Sequence, residues 1–218
     1  MRGNIIAVFD LDGTIIIGRS IENAFIKYLL KTGKIPFSNI LTTIMYYLKN
    51  IWKDPVEAVK RNKMYLKGIS MPEVSRWVEE FVKKKADALI SLRIIEHVKD
   101  HKKIGHTVIL LTGDIDILVD PLPFHKYFDY VFTTKLEVRE SIYTGHIKGP
   151  HYYGKIKVDA VISLADRLDA DLSQSYCYSD SGSDIDLMCL FGHPVTVNPD
   201  RKLTEVARQR HWEINANE

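Results

Sequence analysis

Two hydrophobic rhythms divide this chain. Apolar runs of strand length, rich in branched residues, stand at Asn4–Phe9 (NIIAVF), Thr107–Leu111 (TVILL), Ser175–Ser179 (SYCYS) and Pro194–Asn198 (PVTVN). Continuous runs of this kind suit strands covered on both faces, as in parallel sheets. The first three end in small polar clusters: Asp-Leu-Asp-Gly-Thr, Thr-Gly-Asp and Asp-Ser-Gly-Ser-Asp. Helical patterns fall between and after them, at roughly 86–103, 115–121, 155–170, 183–191 and 200–211. Strand and helix alternation predicts an α/β fold with a Rossmann-like parallel sheet between helices. Tyr130–Thr134 adds a further strand, and alternation over Leu136–Gly145 around a Glu-Ser turn predicts a small hairpin.

Residues 19 to about 84 break that rhythm, because they contain no convincing strand. Ile21, Ala24, Phe25, Tyr28 and Leu29 recur at helical spacing, as do Ile40, Ile44, Tyr47, Leu48 and Ile51, and then Val74, Trp77, Val78 and Phe81. The pattern predicts an all-helical insertion at 19–84 after the first strand, with 1–18 and 85–218 forming the α/β unit. Phe37–Trp52 is unusually apolar and aromatic. Because helical stripes usually pack inward, it reads as the core of the insertion. The alternatives are an apolar wall over a substrate or a surface facing a membrane.

Composition narrows the function classes. Thirty basic against 28 acidic residues give a net charge of +2, too little for the basic face of a dedicated nucleic-acid binder. Lys83-Lys84-Lys85 is the densest basic spot and reads as a solvated helix end. Cys177 and Cys189 form no CxxC pair and sit in apolar surroundings, as reduced cysteines in a cytoplasmic setting would. The amino-terminal apolar run meets an aspartate rather than a cleavage site, so no signal peptide is expected. The longest uncharged stretch, Ile35–Leu48, is 14 residues, short of the ~18 needed for a membrane span.

In open parallel sheets, ligands lie at the carboxyl ends of strands, so the polar clusters should meet. That gathers Asp10, Asp12, Thr112, Asp180 and Asp184. Carboxylates crowded in one crevice repel unless something positive sits among them. Mg2+ is the natural remedy, since it takes few protein carboxylates, keeps waters and shares a phosphate oxygen. A lysine near the start of the helix after Gly154 supplies further positive charge, and Lys155 and Lys157 both stand there. In such a site Asp10 attacks phosphorus, Lys157 offsets negative charge, and Thr112 with nearby backbone amides holds phosphate oxygens. Asp12 protonates the leaving oxygen and then takes a proton from water. The histidines His106, His125, His146, His151 and His193 show no metal-ligand spacing and read as surface or turn residues.

These four motifs, in this order, resemble the haloacid dehalogenase (HAD) superfamily. DLDGT, Asp10 to Thr14, resembles the first, which implies Asp10 as nucleophile and metal ligand and Asp12 as acid/base and a ligand through its carbonyl. LLTGD resembles the second, with Thr112 and Gly113 at the phosphate; close relatives commonly continue with Ser-Ala-Ser, so Gly113 and Asp114 depart from the pattern. GKIKVDAV resembles the third, with Lys157 preferred over Lys155. YSDSGSDIDLM resembles the fourth, with Asp180 as metal ligand and Asp184 behind it, holding the metal's waters or the lysine. The segments LEVRESIYTGHIKGP and GHPVTVNPDRKL are similar to the phosphoserine phosphatase-like subfamily IB, whose helical cap follows the first motif. For that subfamily's substrate glutamate and cap arginine, Glu22 and Arg61 stand nearest.

The resemblance implies a Mg2+-dependent phosphatase acting on a small phosphorylated metabolite such as phosphoserine, or on a phospholipid head group, through an aspartyl phosphate. Transfer to another acceptor, and an idle HAD-like binding module, are the competing readings. No nucleic-acid partner is expected, and membrane contact through the apolar cap is the less favoured alternative.

Overall fold

A computed structural model describes residues 4–18, 20–53 and 55–215. Seven strands form one sheet: β1 Ile6–Phe9, β2 Thr107–Ile115, β3 Tyr130–Arg139, β4 Ile142–Lys148, β5 Tyr176–Ser179, β6 His193–Val197 and β7 Glu213–Asn215. Their order is β4-β3-β2-β1-β5-β6-β7, so the first strand lies in the middle. All neighbours are parallel except β3 and β4, which pair antiparallel at one edge. The chain builds outward from β1 through β2 to β3, then returns to β1's other side to place β5. That reversal opens a crevice at the strand ends.

Alternation along the strands sends side chains to two separate cores. Ala7 and Phe9 of β1 share one with Val108, Leu110 and Tyr178. Ile6 and Val8 share the other with Ile109, Leu111 and Cys177. Helix α5 (Leu92–Lys103) covers the first face with Ile94, Ile95 and Val98. Helices α7 (Lys155–Leu168), α8 (Ile185–Met188) and α9 (Arg201–Arg210) cover the second with Val161, Leu164, Leu187 and Leu203. The α/β architecture is therefore the one the alternation predicts.

Between β1 and α5 lie α1 (Ile21–Lys31), α2 (Phe37–Asn50), α3 (Pro55–Lys60) and α4 (Met71–Phe81), with no named strand among the described residues there. Phe25, Tyr28 and Leu29 of α1 pack with Val74, Trp77, Val78 and Phe81 of α4, in a cluster continuous with the first face of the sheet. Helix α2 follows its stripe only in part: Ile40 packs on the core and Tyr47 is half-buried, but Ile44 and Leu48 are exposed. Its one buried residue is Asn39, while Phe37, Met45, Leu48 and Trp52 just beyond it are 79%, 63%, 58% and 92% exposed. Polar bonds hold its inner side. The Asn39 side-chain amide donates to the carbonyls of Tyr65 (3.2 Å) and Lys67 (2.7 Å), and that of Asn62 donates to the carbonyl of Thr43 (2.9 Å). The expectation that Phe37–Trp52 forms the core of the insertion is thus overturned. Hydrophobic period identifies a face without saying which way it points.

Smaller departures have local causes. Strand β2 runs past the predicted Leu111 to Ile115 with a shifted register after Leu111, which shortens the next helix, α6, to Asp116–Val119. The predicted strand at 130–134 and the hairpin's first arm are one strand, β3. The hairpin turns at Glu140 and Ser141, whose φ of 49° and 64° form the paired positive-φ turn that suits sheet twist. Strand β7, only three residues long, lacks a readable alternation. Cys177 is buried as expected, whereas Cys189 is exposed. The run Lys83–Lys85 is solvated, on a π-helical turn after α4. Among the described residues no helix is long and apolar enough to cross a membrane.

Candidate active site

Register decides which polar groups meet. Phe9 is level with Leu110 and with Tyr178, so Asp10, Thr112 and Asp180 emerge at adjacent strand ends. Asp10 is held there by its backbone N–H donating to Tyr178 O at 2.9 Å. Lys157, in the first turn of α7, donates from Nζ to Asp10 Oδ1 and to Asp184 Oδ2, both at 2.7 Å. Ser179 Oγ donates to the same Asp184 oxygen at 2.8 Å. Lys155 points the other way, to Asp159 at 2.7 Å on the exposed side of the helix. Two residues turn an α-helix by about 200°, so only one lysine of the pair can face the sheet. Lys157 is that one.

Gly13 shows why the first motif needs glycine. Its φ is +76°, and a Cβ there would lie 2.0 Å from Asp180 Oδ2. The loop after β1 and the end of β5 approach closely because nothing projects between them. Asp12 turns away from Asp10, and its Oδ1 accepts the backbone N–H of Ile21 at 2.8 Å, at the start of α1. The two carboxylates therefore meet different partners, Lys157 for Asp10 and the Ile21 N–H for Asp12. Burial, then the charges of Asp114 and Asp10, push the Asp12 carboxyl well above the usual range.

The charge balance is uneven. Burial and the neighbouring Asp10 and Asp184 raise Asp180 to about 7. Asp10 is raised too, since burial and Asp184 outweigh the attraction of Lys157. Burial opposes the Lys157 ammonium, but its two carboxylate partners more than compensate and hold it charged. One lysine does not neutralise this group of aspartates. Asp184 Oδ1 is buried with no partner among the described residues. Among those residues no three acidic, imidazole or thiol side chains converge as a ready metal cage. Mg2+ does not require one, because it accepts one or two carboxylates and completes its octahedron with carbonyl, water and phosphate oxygens. The residues present fit that ion.

Above the aspartates opens a cavity of about 720 Å³. Thr112 and Gly113 line it, but the Thr112 hydroxyl is engaged with Asp114. It donates to Asp114 Oδ2 at 2.8 Å and accepts from the Asp114 N–H at 3.0 Å. Burial and the charge of Glu22 raise Asp114 to about 6. On the opposite wall Lys63 Nζ meets Glu22 Oε2 at 2.6 Å, and Tyr65 donates to Glu22 Oε1 at 2.9 Å. Lys60 Nζ sits 3.2 Å from the centre of the Tyr153 ring. Arg61, the arginine nearest the resemblance, lines a smaller cavity with His146 and Tyr46 instead.

His151 is not a surface histidine as its spacing suggested. It is buried, with Nδ1 2.9 Å from Thr134 Oγ1, whose hydroxyl donates to Gly113 O. That bond leaves Nδ1 as the donor and Nε2 as an unprotonated acceptor, buried without a described partner. Burial and the nearby lysines hold the ring down at about 4, hence neutral. Gly113 makes room for it, since a Cβ there would come within 3.1 Å of His151 Cε1. Lys60, Lys63 and His151 were not legible as site residues, because only the folded insertion and the β4–α7 loop bring them to the strand ends, whereas Asp114 stood in the second motif as a departure with no role assigned to it.

A family model described as haloacid dehalogenase-like hydrolase matches residues 7–188. The chain belongs to that family. This HAD chain is 28% identical over 95% of its length to the inhibition of morphological differentiation protein of Streptomyces azureus, covering 76% of it. It is 27% identical, over 95% of its length, to the phosphoserine phosphatase SerB1 of Mycobacterium tuberculosis, covering 69% of that protein. A crystal structure of a protein of unknown function from Bordetella pertussis Tohama I superposes with a TM-score of 0.81 at 23% identity, covering 99% of each chain. This chain is thus a haloacid dehalogenase-like hydrolase by family, with the fold of that family.

Proposed function

We propose that this HAD phosphatase hydrolyses a phosphomonoester by attack of Asp10 on phosphorus, giving an aspartyl phosphate that water then cleaves. The observation that carries the reading is the position of Asp10: it ends the central strand, bound by Lys157, at the floor of the cavity. The Asp10 and Asp180 carboxylates and the Asp12 backbone carbonyl would hold Mg2+, which would offset charge on the phosphoryl oxygens and the nucleophile. Lys157 aims Asp10 and favours its ionised form against burial, while Asp184 and Ser179 fix the lysine in turn. Thr112 and the Gly113 amide take phosphate oxygens once the Thr112 hydroxyl leaves Asp114.

Asp12 has the environment of a proton donor. Burial, which pushes its carboxyl well above the usual range, favours the protonated form, and its bond to Ile21 N fixes its direction. Having protonated the leaving oxygen, the carboxylate takes the proton of the water that attacks the phosphoaspartate. Residues 19–84 act as the cap, and 1–18 with 85–218 as the unit that carries the chemistry. Met1–Gly3, Arg19, Asp54 and residues 216–218 of those ranges lie outside the described residues. Glu22, Lys63 and His151 line the wall where the rest of the substrate would lie, and a small phosphorylated metabolite suits that space.

Replacing Asp10 by Asn keeps shape and removes the attacking charge. Hydrolysis of an aryl phosphate with Mg2+ should fall by roughly a thousandfold or more, with unchanged circular dichroism. Retained turnover in a folded Asp10→Asn protein would refute attack by this residue.

A further inference from the structure

Helix α2 packs Ile40 inward but turns a longer apolar stripe outward, and residues 23–53 around it carry only positive charge. Phe37, Leu41, Ile44, Met45, Leu48 and the adjoining Trp52 follow each other at helical spacing, and every one is exposed. From Asn23 to Lys53 the chain has no Asp or Glu, while Lys27, Lys31, Lys34, Lys49 and Lys53 fall within it. Lys34 is drawn to Glu80 of α4 at 3.5 Å, whereas Lys49 and Lys53 are exposed beside Leu48 and Trp52. Apolar side chains on one face, a flanking tryptophan and lysines at the edge are the composition of a helix that lies in a lipid–water interface. At 14 residues α2 is too short to cross a bilayer but long enough to lie along one.

The charge selects among occupants. Two copies of this face apposed would bring the exposed Lys49 and Lys53 of each into one closing interface, where like charges cost electrostatic energy. An anionic lipid surface instead attracts those lysines and accepts the apolar stripe. The face is also continuous with the active-site cavity, because Ile44 belongs to the exposed stripe and lines the cavity with Thr43 and Tyr47 of the same helix. Ile26 and Val59 extend that apolar wall.

We infer that the exposed face of α2 docks on an anionic lipid surface, and that the cavity takes its phosphomonoester from that surface. The second half rests on the phosphatase reading above; the docking does not. Bound this way, the phosphate would reach Asp10 while an acyl chain follows the wall formed by Ile26, Ile44 and Val59 toward the bilayer.

Vesicle sedimentation tests it. The probes are vesicles of phosphatidylcholine alone, and of one part phosphatidylglycerol to three of phosphatidylcholine, with or without a trace of phosphatidic acid. The doubly substituted Leu41→Glu, Leu48→Glu protein changes two exposed positions outside the cavity lining. The intact protein should bind the anionic vesicles, less at high salt and less to phosphatidylcholine alone. The variant should bind them at least roughly tenfold more weakly. Both should hydrolyse a soluble aryl phosphate equally, and only the intact protein should release phosphate from vesicle phosphatidic acid at speed. Asp10→Asn should dock normally and release none, so loss of chemistry and loss of docking are read separately. Equal vesicle binding by the variant, or no binding by the intact protein, would overturn the inference. So would a lipid-free dimer that the variant splits, or docking that leaves phosphatidic acid intact while aryl phosphate is cleaved.

Discussion

At the scale of single residues, the site is an arrangement of buried charges whose spacing the chain enforces without bulky parts. Gly13 is the clearest case. Alanine there would meet the Asp180 carboxylate and would also have to hold φ +76°. Gly13→Ala should cost about 1–3 kcal/mol of stability by strain alone, and by displacing Asp180 it should lower phosphatase activity far more than it lowers the melting temperature. Equal activity in a folded Gly13→Ala protein would contradict the close approach. A second residue offers a pH signature away from the site. His101 on α5 is buried, with Nδ1 2.8 Å from His106 Nδ1 and Nε2 3.0 Å from the Tyr178 hydroxyl. Burial, then the neighbouring His106 and His97, lower it from 6.5 to about 4, against a small opposing pull from Asp100. The unfolded chain therefore takes up this proton before the folded one does. The contribution is intact above pH 6.5, falls as pH drops toward 4, and amounts to about 3 kcal/mol at most. Denaturant titrations of the intact protein and His101→Gln should diverge over that window, with the variant losing less. Parallel curves would mean that the ring titrates normally.

The aspartates and Thr112 were legible because each ends an apolar run, and a parallel sheet sends such ends to one edge. The preference for Lys157 over Lys155 rested on the resemblance and not on the periodicity, because helical phase depends on where α7 starts, and Gly154 at φ 51° sets that start. His151 was invisible for another reason. Its role comes from Thr134 and Gly113, neither of which is near it in sequence.

At the scale of elements, α2 teaches most. Its apolar period was plain, but the inference from period to burial held only for Ile40 and the half-buried Tyr47, and the bonds of Asn39 and Asn62 set the rest of its inner side. Asn39→Ala would leave the Tyr65 and Lys67 carbonyls without that donor, and should cost about 2 kcal/mol in chemical denaturation. Leu48→Gln on the outer side should change stability by no more than about 0.5 kcal/mol. The reverse ranking would mean that the outer face is the packed one. Strand β3 shows a milder version of the same limit: two patterns that read separately at 130–134 and 136–139 are one strand, since Lys135 between them interrupts the apolar run but not the ladder.

At the scale of the whole molecule, order of assembly explains why the chemistry sits where it does. Placing the first strand in the centre gives its carboxyl end neighbours on both sides, so Asp10 receives Thr112 from β2, Asp180 from β5 and Lys157 from the helix that precedes β5. Inserting the helical segment directly after that strand sets α1 on Asp12 itself, through the Ile21 N–H. The loop that carries Asp12, the proposed acid/base, is thereby tied to the helical segment proposed as the cap. The α/β alternation made this architecture readable from sequence. The lining of the cavity was not, because it draws on α1, α2, the segment after α3 and the loop before α7, whose mutual placement follows from packing rather than from any local pattern.

The central claim is covalent attack by Asp10, and the most direct measurement is a single-turnover reaction with an aryl phosphate and Mg2+, quenched in acid and read by peptide mass spectrometry. A phosphoryl group on Asp10 should appear before free phosphate accumulates, be absent from Asp10→Asn, and be absent when the metal is chelated. A phosphoryl group on another residue, or release of phosphate at full rate with Asp10 never modified, would contradict it.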